Sequence, residues 1–392
     1  DSSPDEFERL CGDITASGFK LFDRTDIEGS IHCTFAGKPV LHAWYCPCER
    51  ALRLTADPYT ALYNTAPERC ERKYGNTLWQ FEVDHSLIDC GMCYIVRCCD
   101  GSFFVIDSAH MYSVNDDIRI IEFLRKLNGG AKPTVAGWFF SHGHEDHVAK
   151  FSDIVEFRSG EVDIETVYYN FPSYGHPDNE EWGECGKQVM HRFERKLDEH
   201  PEIKKVRLHT GQRFFVRDLE FSVLCPHEDI SPNPLSNFND SSTAIMMTAG
   251  GCKVLFPGDC AAESDKVFLR RYHDALKCSV VQVSHHGHSG TSSEFYRRAG
   301  AECVLFPITE IKFAEEWDKQ EPNRVAVDIA KEYHIASNGT VEIPLPYSFG
   351  GTKRLPDETF EDFDGIFALW CYEYTDEYKE KLRREFLERS KE

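Results

Sequence analysis

Apolar runs of strand length that stop abruptly at small, charged or imidazole-bearing residues recur along this chain. The clearest is Thr134-Val135-Ala136-Gly137-Trp138-Phe139-Phe140, which carries no charged position. Such a run reads as a strand buried on both faces. Upstream, 78–83, 92–98 and 102–107 read as three successive strands, with turns at 89–91 and at Asp100-Gly101. Ile118, Ile121, Phe123, Leu124 and Leu127 then fall at helical spacing and predict a helix over 118–127. Downstream, 167–171 is expected as a strand, 172–184 as an acidic Pro/Gly loop, and 188–200 as a helix buried through Val189, Phe193 and Leu197. A hairpin is expected over 207–225 with turns at Gly211-Gln212 and Arg217-Asp218, followed by strands at 243–247, 253–256 and 279–283.

The flanks differ in pattern. Residues 1–75 predict a short helix within 7–19 and strands at 31–35, 39–45 and 51–54, punctuated by Gly29, Gly37 and Pro39. They form a β-rich accessory region ahead of a main domain over 76–348, within which 151–210 reads as a substrate-side insertion. Residues 349–392 form an acidic tail. In it 378–391 predicts a terminal helix whose Leu382, Phe386 and Leu387 suit docking on the body or on a second copy of the chain.

Composition narrows the class. With 41% hydrophobic and 13% aromatic residues in 392, the chain has ample material for a core. No run approaches the about eighteen apolar residues that span a bilayer. The net charge of −22 disfavours nonspecific binding to nucleic acid or to an anionic membrane. Several of the sixteen cysteines sit inside apolar strand runs, where a free thiol behaves as a small hydrophobe. Reduced thiols and a cytoplasmic setting are expected. Asp1-Ser2-Ser3-Pro4-Asp5 has no signal pattern and no initiator Met, which leaves a removed signal peptide open. Cys46-Pro47-Cys48, with His42 nearby and Cys33 upstream, admits a structural zinc, although a C-x-C without a second pair is a weak signal.

The buried run at 134–140 delivers Ser141-His142-Gly143-His144-Glu145-Asp146-His147. Three imidazoles and a carboxylate packed so closely need something to offset their repulsion and desolvation. A divalent metal does so, because imidazole nitrogen and carboxylate oxygen bind zinc at roughly 2.0–2.2 Å. His142 and His144 alternate along an extended loop, while Asp146 and His147 follow a turn and can address a second position. One motif can therefore seed two metal positions, which about 3.5–4 Å apart make a hydrolytic clamp. Asp259 after Phe256-Pro257-Gly258, and His285-His286 after the strand at 279–283, again put ligand-type residues at strand ends.

The motif His142-x-His144-x-Asp146-His147 resembles the signature of the metallo-β-lactamase superfamily. That resemblance implies an α/β fold, the metallo-β-lactamase αββα sandwich, here with a small β-rich N-terminal region and a C-terminal helical tail. The series Asn239-Asp240-Ser241-Ser242, Phe256-Pro257-Gly258-Asp259, Ser284-His285-His286-Gly287, Glu321-Pro322-Asn323 and 337–343 is similar to the branch containing the nuclease-like domain of competence DNA-uptake proteins. This chain departs from that branch in lacking a membrane channel segment and in carrying the full His-x-His-x-Asp-His form. By resemblance, His142 and His144 bind the first metal, Asp146 and His147 the second, Asp259 bridges them, and His285 is the last ligand. His286 then either supports a ligand from behind or contacts the substrate, although His285 and His286 can exchange roles. The first metal's remaining ligand falls to Asp240, with His227 as the more distant candidate and strand or turn capping as Asp240's other role.

The expected function is a binuclear hydrolase with two zinc ions, or manganese if carboxylates dominate, using a metal-bridged hydroxide. Asp146 orients that hydroxide and shuttles its proton, while His286, His288 or Ser289 steadies the developing charge. A small phosphodiester or phosphate ester is the leading substrate, because a long polyanion needs a basic track that the sequence lacks. A lactone or amide hydrolase, an iron- and thiol-based sulfur-handling enzyme, and a noncatalytic metal-binding interaction module are the alternatives.

Overall fold

The computed structural model describes residues 2–86, 88–113, 115–172, 183–230, 235 and 238–356, with the backbone alone for 183–186. The terminal helix expected over 378–391 and most of the acidic loop expected over 172–184, including Tyr174, which with Tyr169 and Phe171 is a candidate substrate contact, lie outside the described residues. Phe103–Ile106 shows how the body is built. Phe104 and Ile106 face one core, while Phe103 and Val105 face another. A strand apolar at every position must be covered on both sides, and here a second sheet covers one face and helices the other.

Two sheets pack face to face in this way. The first runs in the order Lys204–Arg207, Thr166–Tyr169, Thr134–Phe139, Phe103–Ile106, Tyr94–Arg97, Thr77–Gln80, Val341–Pro344 and Lys353–Arg354, with Asp163–Ile164 also paired to Thr134–Phe139. The second runs Arg213–Val216, Leu219–Cys225, Ala244–Ala249, Cys252–Phe256, Val280–Gln282, Cys303–Phe306 and Glu332–Ile335. Leu78, Tyr94, Phe104 and Phe139 of the first meet Phe221, Ile245, Phe256 and Leu305 of the second in one central core. Helices Asp116–Leu127 and Glu145–Phe157 and the helix Gly183–Glu199 cover the first sheet's outer face. Helices Ala262–Arg271, Ser293–Ala299 and Glu321–Ile329 cover the second's. The result is the expected αββα sandwich.

Thr166–Tyr169 and Lys204–Arg207 are parallel strands of the first sheet, in register with each other. The segment 151–210, expected as an insertion above the site, thus contributes integral strands as well as the helix that covers them. No described helix is long and apolar enough to cross a membrane.

The N-terminal residues form a separate four-stranded antiparallel meander: Lys20–Ile27, Ser30–Ala36, Val40–Cys46 and Ala51–Asp57. The helix Pro4–Ala16 packs on it through Phe7 and Ile14. That helix starts three residues before the expected position because Ser3 and Glu6 cap each other's backbone N–H groups and Pro4 fits the first turn. The strand Lys20–Ile27 was not legible, because Asp23, Arg24 and Asp26 interrupt any apolar pattern on what is an edge strand.

The meander is joined to the body by buried polar contacts. Arg271 pairs with Glu49 at 2.7 Å and with Asp229 at 2.9 Å, and Arg53 pairs with Asp229 at 2.8 Å. His209 lies between two carboxylates, donating from Nε2 to Asp57 at 2.5 Å and from Nδ1 to Glu228 at 3.0 Å. His42 stacks on it with ring centroids 4.1 Å apart. His42 is therefore engaged here, whereas Cys46 Sγ and Cys48 Sγ lie 3.3 Å apart as a pair of their own. The fourteen described cysteines are all free.

Burial pushes the His209 imidazole down, but Glu228 and Asp57 outweigh it and carry its pKa from 6.5 up to about 9. The unfolded chain releases this proton near 6.5 and the folded chain near 9, so the stabilisation is complete below 6.5 and is lost as pH climbs to 9. The thermal midpoint of the wild-type protein is expected to fall across that interval more steeply than that of His209→Gln. Parallel midpoint-versus-pH curves would count against the interaction.

Candidate metal centre

Strand ends and one helix start bring the candidate residues together. Thr134–Phe139 hands the chain through residues 140–143 to the helix Glu145–Phe157, whose N-cap is His144. Asp146 and His147 consequently stand on a first helical turn, where free N–H groups favour a carboxylate. Cys252–Phe256 ends at Pro257-Gly258-Asp259, and Val280–Gln282 leads into residues 284–287. Gly258 has a φ of +61°, and a Cβ there would meet Ser141 Cβ at 2.7 Å, so the two loops approach closely only because this residue is glycine.

Asp146, His147, Asp259 and His286 each place one ligand atom within 4.8 Å of all the others. His286 Nε2 lies 2.9 Å from Asp146 Oδ2 and 3.2 Å from Asp259 Oδ2. His147 Nε2 lies 3.4 Å and 3.3 Å from the same two oxygens. Beside this group, His142 Nε2 and His144 Nδ1 face each other at 3.0 Å. His142 Nε2 is also 3.9 Å from Asp259 Oδ2, so Asp259 borders both sets.

Outer hydrogen bonds aim the rings. Asp107, at the end of Phe103–Ile106, accepts from Ser141 N at 2.8 Å, from Ser141 Oγ at 2.8 Å and from His147 Nδ1 at 2.7 Å. That fixes the His147 tautomer and directs Nε2 to the cluster. His286 Nδ1 donates to Pro307 O at 2.7 Å with the same effect on its ring. Gln282 receives Gly258 N at 2.9 Å and donates to Gly258 O at 2.9 Å, tying the Asp259 loop to the His286 loop. Asn323 Nδ2 holds Gly287 O at 2.7 Å from the other side.

Two of the expected ligands lie elsewhere. His286, rather than His285, enters the cluster, because both residues adopt left-handed backbone, with φ of +49° and +53°. That reversal turns the second imidazole inward at a cost of order 1–3 kcal/mol per residue. His285 Nε2 instead accepts from Asn239 Nδ2 at 3.1 Å. Asp240 is turned away and caps the helix Ala262–Arg271: Oδ1 accepts from Ala261 N and Ser264 N at 2.9 Å, and Oδ2 from Glu263 N at 3.3 Å. Those three bonds occupy most of the carboxylate's roughly four lone-pair sites and turn it toward the helix. His227 lies in the short turn His227–Asp229, outside the converging group.

Sequence reasoning missed Asp107, Gln282 and Asn239. The first carried a weak signal, a carboxylate immediately after a buried apolar strand. Gln282 looked like an ordinary polar position in a strand, and Asn239 stood only as part of the Asn239–Ser242 series, with no role of its own.

The electrostatics divide the centre. Burial pushes His142 well below the ordinary imidazole range, with His147 and His144 adding to the effect. Burial likewise takes His144 down to about 4. His147 is also penalised by burial, yet Asp146, Asp259 and Asp107 outweigh that and raise it well above 6.5. For His286, Asp259 and Asp146 overcome burial and lift it to about 10. Burial opposes ionisation of Asp146 and Asp259, but His147 and His286 hold both carboxyls far below the usual range.

The donor set fits divalent metal. Asp259 Oδ1 is buried without a hydrogen bond among the described residues, and His147 Nε2 and His286 Nε2 meet only the Asp146 and Asp259 oxygens with which they would share an ion. Buried imidazoles and carboxylates converging in this way are a donor set that a divalent cation would satisfy. Nitrogen and oxygen donors suit zinc, and the carboxylate share also admits manganese. Cys90 approaches as well, its thiol 3.7 Å from Asp146 Oδ2.

No protein-family model matches the sequence, and no curated protein matches it. Among solved structures, the chain is similar to the metallo-β-lactamase fold protein YhfI from Bacillus subtilis at 11% identity, covering 67% of this chain and 96% of that one with a TM-score of 0.43. It is similar to unliganded yeast PDE1 at 11% identity, 69% and 99% coverage and a TM-score of 0.42. Zn2+-bound PqqB from Methylobacterium extorquens follows at 12% identity, 58% and 64% coverage and a TM-score of 0.28. Layers, sheet order and the strand-end loops of this chain are those of an αββα sandwich, the architecture expected from the resemblance to metallo-β-lactamases.

Asp107→Asn keeps the shape and removes the carboxylate from His147. Loss of such an outer partner is expected to weaken metal retention by roughly 10–100-fold, read by metal content after dialysis against graded chelator. Unchanged retention would show that Asp107 serves only the Ser141 turn.

Proposed function

We propose that the chain is a metal-dependent hydrolase built for two divalent cations. His142 and His144 would hold one, Asp146, His147 and His286 would hold the other, and Asp259, which borders both sets, would be available to either. The observation that carries this reading is the convergence of four buried ligand atoms within 4.8 Å beside a second facing imidazole pair. When bound, such a pair lowers the pKa of a water toward about 7 and polarises the oxygen of the bond to be cleaved.

The protein's own residues supply orientation and proton handling. Asp146, held by the helix start and by His286, orients the attacking water and carries its proton toward the leaving group. His286, engaged with both carboxylates, serves as a ligand, which leaves the charge-steadying role to His285. Asn239 occupies His285 Nε2, so the ring proton stays on Nδ1, which is buried without a partner among the described residues. That N–H is a donor for a substrate oxygen.

A small phosphodiester or phosphate ester is the favoured substrate. A two-cation clamp suits in-line displacement at phosphorus, and a net charge of −22 opposes a long polyanion. The resemblance of the downstream motifs to a nuclease-like branch points the same way. Hydrolysis of a lactone or amide by the same residues is the second reading.

Elemental analysis of the purified protein, run beside hydrolysis of bis-p-nitrophenyl phosphate with added zinc or manganese, tests this. Metal-dependent turnover is expected to fall in Asp259→Ala by more than the roughly 100-fold that loss of an outer partner costs. Bound metal with turnover on lactones but not on phosphodiesters would select the second reading. Absence of bound metal, with no turnover on addition, would leave a noncatalytic interaction module.

A further inference from the structure

At the far side of the second sheet, Glu332–Ile335 is an edge strand paired in parallel with Cys303–Phe306, with Cys303 opposite Glu332 and Leu305 opposite His334. Residues in register on neighbouring strands present their side chains to the same face. Cys303 and Leu305 face the central core, so Glu332 and His334 turn inward at its margin. This is the strand end opposite to Pro307, which supports His286, so the place is separate from the hydrolytic centre.

A thiol, a carboxylate and an imidazole meet there, with one ligand atom of each of Cys303, Glu332 and His334 within 4.8 Å of the others. Both ring nitrogens of His334, Glu332 Oε1 and Tyr347 Oη are buried without a hydrogen-bond partner among the described residues. Native interiors rarely leave so many polar atoms unmet in one place. Glu332 Oε2 accepts from Thr352 Oγ1 at 2.9 Å, which fixes the carboxylate beside the imidazole, 3.7 Å from His334 Nε2. The other buried cluster in the accessory region differs, since His209 is already bonded on both sides by Asp57 and Glu228.

We propose that Cys303, Glu332 and His334 bind a zinc ion that pins the edge strand to its neighbour. The mixed sulfur, nitrogen and oxygen set is one that zinc accepts, whereas calcium and magnesium prefer oxygen alone. The fourth position falls to water, because Cys252 Sγ, though in the same core cluster, is already engaged by Tyr347 N at 3.4 Å and lies outside the converging group. Burial, Glu332 and Cys252 hold the Cys303 thiol well above its ordinary pKa, so the ion binds with release of the thiol proton.

The full-length chain carrying Asp259→Ala, loaded with cobalt(II), separates this site from the hydrolytic one. It is expected to show a thiolate-to-cobalt charge-transfer absorption that disappears in Cys303→Ser and persists in Cys90→Ser. In otherwise wild-type protein, His334→Gln is expected to lower bound zinc by one equivalent per chain while the circular dichroism spectrum stays unchanged. His334 lies on an edge strand, so this second variant keeps the test valid if Cys303→Ser fails to fold. Zinc content equal in His334→Gln and wild type, or an absorption that follows Cys90 instead of Cys303, would overturn the proposal.

Discussion

Asp107 accepts three hydrogen bonds at once, two from Ser141 and one from His147, and so fixes both ends of the loop that carries the candidate ligands. A flexible loop holding His142, His144, Asp146 and His147 could point its rings in many directions. With its first residue and its last imidazole bound to the same buried carboxylate, the loop has little freedom left. Burial works against the charge on Asp107, and the imidazole and Ser141 reduce that cost. The arrangement therefore depends on mutual support: the carboxylate is tolerable because His147 is there, and His147 is aimed because the carboxylate is there.

The same logic extends across the interface between the sheets. The Asp259 loop belongs to the second sheet and the His142–His147 loop to the first. Their separation is set by Gly258 against Ser141, where no side chain fits between, while within the second sheet the Gln282 amide ties the Asp259 loop to the His286 loop. The central core of Phe104, Phe221, Phe256 and Leu305 holds the sheets at the spacing those contacts require. Core packing and site geometry are one problem at this edge of the sandwich.

Much of this was readable from residue order. Buried strands announced themselves as unbroken apolar runs, and each ligand-type group followed one directly, so fold and cluster membership were largely legible at 142–147 and 259. What escaped depends on backbone detail. Nothing in Ser284-His285-His286-Gly287 says that two successive residues adopt left-handed φ, yet that decides which imidazole turns inward. Asp240 next to Asn239 carries the composition of a ligand and the geometry of a helix cap, a difference that exists only once Ala262–Arg271 is in place. The strand Lys20–Ile27 was hidden for a different reason, since an edge strand exposes polar side chains and loses the alternation that betrays it.

The pairing of Thr77–Gln80 with Val341–Pro344 bears on how the chain is made. The first strand of the body to leave the ribosome lies beside one of the last, so the first sheet stays open along that border through most of synthesis. Contacts so distant in sequence form slowly. Until they form, Thr77–Gln80 presents unpaired N–H and C=O groups on one side, the kind of border that recruits strands from other chains. A chain broken off before Val341 keeps its ligand loops but carries that border permanently, so premature termination or proteolytic trimming there trades a closed sheet margin for an adhesive one.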